Sequence, residues 1–245
     1  MLILAIDTSG KHGSIALARA DGKRFEPIAS TPVEGGTFSA QLVPQISKLL
    51  AQGGLKKAQI ELFATASGPG SFTGLRVGLA AIKALAEVLE KPIVSVSLLQ
   101  AVASWALSAQ GIWQGDAKAN VLALLDAGRG EVYAGEYSFG DPLPRCVSEK
   151  LLEVEEVAGL IEQRGQKLAV LTPEASLIEK LKGLLRDPYL LWSEVVARPM
   201  AVDIAAIGVQ KLLRGETVSV EALDANYIRR SDAEIFSLPK LAGGG

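Results

Sequence analysis

The chain has 245 residues, enough for one large domain or two smaller ones, and 49% of its residues are hydrophobic, as in a globular protein. Its 25 lysines and arginines nearly balance 27 aspartates and glutamates, which argues against a protein that grips nucleic acid by a basic surface. Cys146 is the only cysteine and His12 the only histidine, which excludes an internal disulfide and a histidine-rich metal site. We expect a cytoplasmic protein, because no signal peptide and no membrane-spanning apolar run is evident.

The first half of the chain predicts an α/β unit. Its opening run, Leu2–Ile6, is apolar throughout and ends at Asp7, which is typical of a central strand covered on both faces. The predicted elements that follow are strands at 14–19 and 23–30, a helix at 39–52, a strand at 62–66, a helix at 75–90, a strand at 93–96 and a helix at 97–109.

The stretch from Ser67 to Gly78, with sequence SGPGSFTGLRVG, joins the predicted strand at 62–66 to the long helix. Its glycines and Pro69 permit a tight reversal, and Ser71 or Thr73 can cap the helix. A glycine-rich loop before a helix N-terminus can hold an anion. The signal for phosphate is weak, because the lysine of a P-loop is missing at the required spacing.

The long helix at 75–90 is apolar around nearly its whole circumference. Its polar residues form one narrow stripe, made by Arg76, Lys83, Glu87 and Glu90. Such a helix is buried on more than one side. Small residues at 74, 78, 81 and 84 leave room for another backbone, so either a second helix of this chain or a partner subunit is expected to cover the side away from the sheet.

The second half repeats the opening plan. Residues 121–130 again give an apolar strand, an aspartate and a glycine turn, and 131–137 give a second strand. Further elements are predicted as helices at 154–164 and 175–185, strands at 168–171 and 189–192, and a last helix at about 202–214. The connector at 110–119 predicts a boundary between halves 1–109 and 110–245, and the last helix is expected to pack on one half or the other.

Two α/β halves that each open with a hairpin whose first strand ends in aspartate are the plan of the actin/hexokinase/Hsp70 group. By this analogy we predict the fold class as two actin-like (ASKHA, RNase H-like) α/β halves in tandem, with mixed sheets flanked by helices. The analogy concerns the fold and leaves the function open.

Four residues are candidates for binding a magnesium nucleotide in such a fold: Asp7, Ser9, Asp126 and Arg129. An ATP-dependent phosphotransferase or ATPase would use the two aspartates on the metal. The alternative is that both aspartates hydrogen-bond their own turns, as this residue often does. That alternative is favoured because no glycine-rich adenosine segment occurs near residues 171–174. A protease is a weaker possibility, because a serine triad needs a suitably placed histidine.

Four segments resemble, in order and spacing, the bacterial TsaB (YeaZ) family over nearly the whole chain. They are Ile3–Ser9, Gly68–Gly78, Asp126–Tyr133 and Tyr227–Arg229. The resemblance implies an accessory subunit of the machinery that places threonylcarbamoyl on N6 of adenosine 37 (t6A) in tRNAs reading ANN codons. It also implies two actin-like halves without catalytic activity of their own.

The resemblance implies specific partners. Members of the family pair with TsaD, the catalytic subunit that carries the metal, and an ATPase subunit, TsaE, joins the pair. In isolation they are expected to form homodimers through the same surface. ATP and metal would then belong to the partner subunits, this chain would have no cofactor of its own, and tRNA would be contacted only indirectly.

The helices of the first half are the expected partner surface. Its predicted members are Leu42, Ile46, Leu49, Phe72, Thr73, Gly74, Arg76, Val77, Gly78, Ala81 and Leu85. We therefore expect Gly78→Leu to block pairing. The chain departs from many relatives at Phe38, where they have histidine, and at Gly128, where they often have a larger residue. A short basic pair, Arg229 and Arg230, is interpreted as part of a solvated tail.

Overall fold

The computed structural model describes residues 1–22, 24–107, 120–138, 143–164, 168–188, 191–198 and 200–228. In the first half these residues form β1 (Leu2–Asp7), β2 (His12–Asp21), β3 (Arg24–Glu34), α1 (Phe38–Gln52), β4 (Ile60–Gly68), α2 (Phe72–Leu89), β5 (Ile93–Ser97) and α3 (Leu98–Ser104). The sheet has the order β3-β2-β1-β4-β5. Its first three strands are antiparallel, whereas β4 and β5 run parallel to β1.

The second half has the same topology. Its elements are β6 (Asn120–Gly128), β7 (Glu131–Ser138), β8 (Arg145–Glu153), α4 (Val154–Arg164), β9 (Leu168–Thr172), α5 (Ala175–Leu184), β10 (Trp192–Val195) and α6 (Ala201–Leu213). The sheet reads β8-β7-β6-β9-β10, so each strand has a counterpart at the same place in the first sheet. The predicted pair of α/β halves with mixed sheets flanked by helices is confirmed.

The predicted elements differ from the structure in a few places. Strand β8 was missed, because it is an exposed edge strand with charged residues and no apolar alternation. The last predicted strand lies at Trp192–Val195 instead of 189–192, and residues 189 and 190 lie outside the described ones. Helix α3 ends at Ser104 and a 3₁₀ turn follows at Trp105–Leu107. The predicted boundary at 110–119 also falls outside the described residues.

Strand β1 divides the core of the first half into two layers. All six of its residues are buried, with Leu2, Leu4 and Ile6 facing the cluster beneath α1 and α2. Ile3 and Ala5 face the opposite cluster. This alternation follows from the period of two along a strand, and it explains why the run is apolar throughout.

The two halves share the second of these clusters. It joins residues of β1 and β2 to residues of β6 and β7 through α3 and α6. Helix α6 packs on β1, β2 and β4, whereas α3 packs on β6 and β7 as well as on its own sheet. Each half thus uses the last helix of the other to cover its sheet. Among the described residues, no helix combines the length and apolar character that crossing a bilayer requires.

Candidate functional site

The glycine-rich motif forms the bend between β4 and α2. The peptide bond between Gly68 and Pro69 is cis, and Gly68 has a φ of 117°. Ser71 begins the helix: its Oγ accepts a hydrogen bond from the backbone N–H of Gly74 at 3.3 Å, so the predicted serine cap is confirmed. The backbone N–H of Ser71 donates to the carbonyl oxygen of Ser9 at 2.6 Å, which fastens the bend to the turn after β1.

The glycines of the motif face this chain and not a partner. A Cβ atom on Gly74 would overlap the carbonyl oxygen of Thr8, and one on Gly78 would overlap Oγ1 of Thr8. Both glycines are buried. The prediction that they make room for a partner helix is therefore wrong, because the turn after β1 already fills that space.

The predicted apolar side of α1 is likewise internal. Leu42, Ile46 and Leu49 are at most 5% exposed and pack in the cluster beneath α1 and α2. Their assignment to a partner surface is wrong, because their spacing of four and three residues places them on the side of α1 that covers the sheet.

Part of the surface that α2 exposes consists of small apolar side chains, beside the exposed polar residues Thr73, Arg76 and Glu87. Ala80, Ala84 and Val88 are exposed, and Val77 and Ala81 beside them are partly buried. The exposed fraction of Val88 is 75%. We call these five residues the α2 face. On α1, Val43 is also 61% exposed. The predicted partner surface did not include Val43, Ala80 or Val88, and Ala84 was noted only as one of the small residues of the helix. The helical phase of these four positions relative to the buried ones could have identified them.

The remaining predicted members of the partner surface lie next to this face. Leu85 is partly buried, Thr73 is exposed, and Phe72 and Arg76 stand at the start of α2. The Arg76 guanidinium carbon lies 3.8 Å from the centroid of the Phe72 ring, and its Nε donates to the Tyr227 hydroxyl at 3.1 Å. The rings of Phe72 and Tyr227 are 5.2 Å apart between centroids. We call Phe72, Arg76 and Tyr227 the Arg76 cluster.

Tyr227 is held in place from behind by its neighbour in sequence. The backbone N–H of Asn226 donates to the carbonyl oxygen of Ser67 at 2.7 Å, and its side-chain amide donates to Glu149. Glu149 also accepts hydrogen bonds from Ser97 Oγ, at 2.5 Å, and from the Tyr137 hydroxyl. Burial, together with the charge of Glu149, raises the pKa of Tyr137 well above its usual range. This phenol therefore stays protonated and can only donate to Glu149.

A cleft of about 810 Å³ separates the two halves. The first half contributes the turn after β1 and the start of α2, including Ser9 and Lys11. The second half contributes Asp126, Glu174 and Arg198, with Arg198 Nη1 3.3 Å from Glu174 Oε1. Burial raises the pKa of Glu174 above its ordinary value, partly offset by Thr172 and Arg198.

Of the four predicted nucleotide-binding residues, only Ser9 and Asp126 line this cleft. Asp7 is 4% exposed, and its Oδ1 accepts from the backbone N–H of Ser9 at 2.9 Å. Burial raises the pKa of Asp7, although its hydrogen bonds with Ser9 act in the opposite direction. Arg129 is exposed in the β6–β7 turn with a φ of 59°.

These positions do not fit a metal-bound nucleotide. Asp126 Oδ1 accepts from the backbone N–H of Gly128 at 2.9 Å, so each aspartate hydrogen-bonds its own turn. In the part of the chain that the structure describes, no three side chains of metal-ligand type come together. Phe38 is 5% exposed and packs in the cluster beneath α1 and α2, and Gly128 has a φ of 75° that suits glycine. Arg229 and Arg230 lie outside the described residues.

Comparison with known proteins gives consistent matches over most of the chain. A family model described as "TsaD: tRNA N6-adenosine threonylcarbamoyltransferase" matches residues 35–215. The tRNA threonylcarbamoyladenosine biosynthesis protein TsaB of Escherichia coli (strain K12) is 31% identical over 95% of this chain and 96% of that protein. The TsaB protein of Bacillus subtilis (strain 168) is 27% identical over 96% of each chain.

Solved structures agree with these sequence matches. The YeaZ structure from Pseudomonas aeruginosa superposes with a TM-score of 0.68 at 27% identity, covering 92% of this chain and 100% of that one. An inorganic polyphosphate/ATP-glucomannokinase from Arthrobacter sp. strain KM has a TM-score of 0.51 at 12% identity, covering 87% of this chain and 99% of that one. The second likeness concerns the fold alone, and together they confirm the predicted actin-like fold.

Proposed function

Because this chain belongs to the TsaB (YeaZ) family, whose members carry the name of tRNA threonylcarbamoyladenosine biosynthesis, we propose that it is a non-catalytic subunit of that pathway. In this role it binds a TsaD protein through the α2 face and supports threonylcarbamoylation of N6 of adenosine 37 in tRNAs that read ANN codons. The family assignment rests on nearly full-length relatives.

The observation that carries the proposed binding role is the α2 face. One side of α2 is fixed in the core through Leu75, Leu79 and Ile82, while the opposite side presents alanines and Val88 to solvent. Exposed apolar residues grouped on one helix are typical of a binding surface. Their small size favours a close approach by a partner helix, as in ridges-into-grooves packing.

The placement of the predicted catalytic candidates supports a non-catalytic role, because among the described residues Asp7, Asp126 and Arg129 do not converge on the cleft. Asp7 is buried behind Ser9 and does not line the cleft. Asp126 accepts a hydrogen bond from the backbone of its own turn, and Arg129 is exposed in the same turn. We accordingly propose that ATP and metal are held by the partner subunits TsaD and TsaE. We further propose that the free chain forms a homodimer through the α2 face and that tRNA is contacted only indirectly.

The test is size-exclusion chromatography with light scattering on this chain, alone and mixed with the TsaD protein of the same organism. We expect a homodimer that gives way to a 1:1 heterodimer. Ala84→Arg, which places a bulky charge on the α2 face, should prevent both assemblies, whereas the control Val147→Arg, at a 56% exposed position on β8, should leave both intact. Matched melting temperatures would show that both variants are folded.

The competing function is an ATP-dependent phosphotransferase or ATPase, and calorimetric titration of the isolated chain with magnesium ATP separates the two. The scaffold proposal predicts no binding heat. Tight binding that is lost in Asp126→Ala, together with no complex with TsaD, would replace the scaffold proposal by the enzymatic one.

A further inference from the structure

The Arg76 side chain is fixed at the start of α2 before any partner is present. Its guanidinium lies over the Phe72 ring at 3.8 Å, and its Nε donates to Tyr227 across 151 positions in sequence. An arginine held by a ring and a hydrogen bond loses less side-chain entropy when it binds a ligand than a free one. The cluster is therefore preorganised.

Within the described residues, no acidic side chain neutralises the charge of Arg76. In the described ranges, which end at residue 228, no carboxylate lies within ion-pair distance of this guanidinium, and Nε is its only hydrogen-bonding nitrogen. Arg76 is exposed, so its two terminal amino groups face solvent. Two parallel N–H donors from these groups match the two oxygens of a carboxylate.

Tyr227, the third member of the cluster, is positioned by contacts with segments distant in sequence. Asn226 is fastened to Ser67 and to Glu149, and this holds Tyr227 against Phe72. The last described segment of the chain thus extends the surface of α2. The position of Arg76 four residues before Ala80 and eight before Ala84 makes the cluster continuous with the α2 face.

We propose that the Arg76 cluster belongs to the partner surface and binds an aspartate or glutamate side chain of the partner protein, with Arg76 as the charged residue and Phe72 and Tyr227 as its apolar surround. The proposal rests on the proposed function, because it takes the partner to be the TsaD protein. Arginine and tyrosine surrounded by apolar contacts are the residues that dominate binding energy at protein interfaces. Continuity with the α2 face favours a protein carboxylate over an RNA phosphate.

The experiment measures the Kd for the TsaD protein by calorimetry, using full-length variants. Arg76→Gln removes the charge, and we expect it to raise Kd about 30-fold, the loss typical of a central interface arginine. Arg76→Lys keeps the charge but not the paired donors, and we expect a rise of about 10-fold. Tyr227→Phe removes only the hydroxyl that fixes Nε and should raise Kd a few-fold. Arg19→Gln, at an exposed arginine on β2, is the control and should leave Kd unchanged.

Each alternative gives a distinct result. An unchanged or lower Kd in Arg76→Gln would overturn the proposal, while loss of binding in Ala84→Arg would still support the proposed function. Weaker binding of tRNA by Arg76→Gln at unchanged Kd for TsaD would reassign the cluster to RNA and also overturn it. If the wild-type chain does not bind TsaD at all, both proposals fail.

Discussion

Thr8 lies directly against Gly78, so that Oγ1 of the threonine occupies the place where a side-chain carbon of residue 78 would stand. This contact packs the turn after β1 directly against the second turn of α2. The side of α2 that carries Gly78 faces the core, whereas Ala80, Ala84 and Val88 lie on the side that faces solvent.

Gly78→Leu should therefore destabilise the fold itself. We expect it to lower the free energy of unfolding by about 3 kcal/mol or more, because a leucine must displace Thr8 from a packed site. Gly159→Ala in α4 is the matched control. Nothing lies within 4 Å of a Cβ there, so alanine should stabilise the chain by about 0.5–1 kcal/mol through helix propensity. Urea denaturation measures both, and a fully stable Gly78→Leu variant would contradict this assignment.

The shared core predicts that both halves unfold together. Helix α6 covers the first sheet and α3 the second, so neither half keeps its apolar surface covered without the other. We expect coincident thermal transitions by circular dichroism and by tryptophan fluorescence, with equal calorimetric and van't Hoff enthalpies. Two separated transitions would show that the halves are independent.

Asp7→Asn should be at least as stable as the wild type at neutral pH. Because burial raises the pKa of Asp7, the folded chain binds this proton more tightly than the unfolded chain, and ionisation costs stability as the pH rises through the folded pKa. Asparagine keeps an oxygen for the backbone N–H of Ser9 and never ionises. The advantage of the variant should vanish below the ordinary aspartate pKa of 3.8, where wild-type Asp7 is protonated in both states.

Urea titrations at several pH values test this expectation. A catalytic, metal-binding Asp7 would instead give a variant that loses nucleotide binding. A stability advantage that grows as the pH falls would contradict the sign worked out above.

Phe38→His should not create a metal site. Phe38 is buried beside Gly13 and Gly74, and no ring of acidic, cysteine or histidine side chains surrounds it within the described ranges. We expect the imidazole to cost about 2 kcal/mol or more of stability, because it is buried without a suitable partner. Calorimetric titration with zinc should give no specific binding, whereas a stoichiometric zinc complex would restore the possibility of a metal ligand at this position.

Local sequence signals determined most of the fold. The apolar runs 2–6 and 121–125, each followed by an aspartate and a turn, predicted the two central strands and the repeated hairpin. This was possible because strand and turn signals depend on residues that are adjacent in sequence. Ser71 was identified as a helix cap for the same reason. Strand β8 was missed, since an exposed edge strand carries little apolar pattern, and the bounds of β10 and α3 were misplaced by a few residues.

Only the tertiary structure decided which surfaces are free. The sequence showed that α2 is apolar around most of its circumference, but the choice between core and partner depended on Thr8, which lies on another element. The hydrogen bond between Arg76 and Tyr227 likewise joins residues far apart in sequence. The same is true of the packing of α3 on the second sheet and of α6 on the first. Periodicity defines the apolar sides of a helix, whereas its neighbours in space define which of those sides remains exposed.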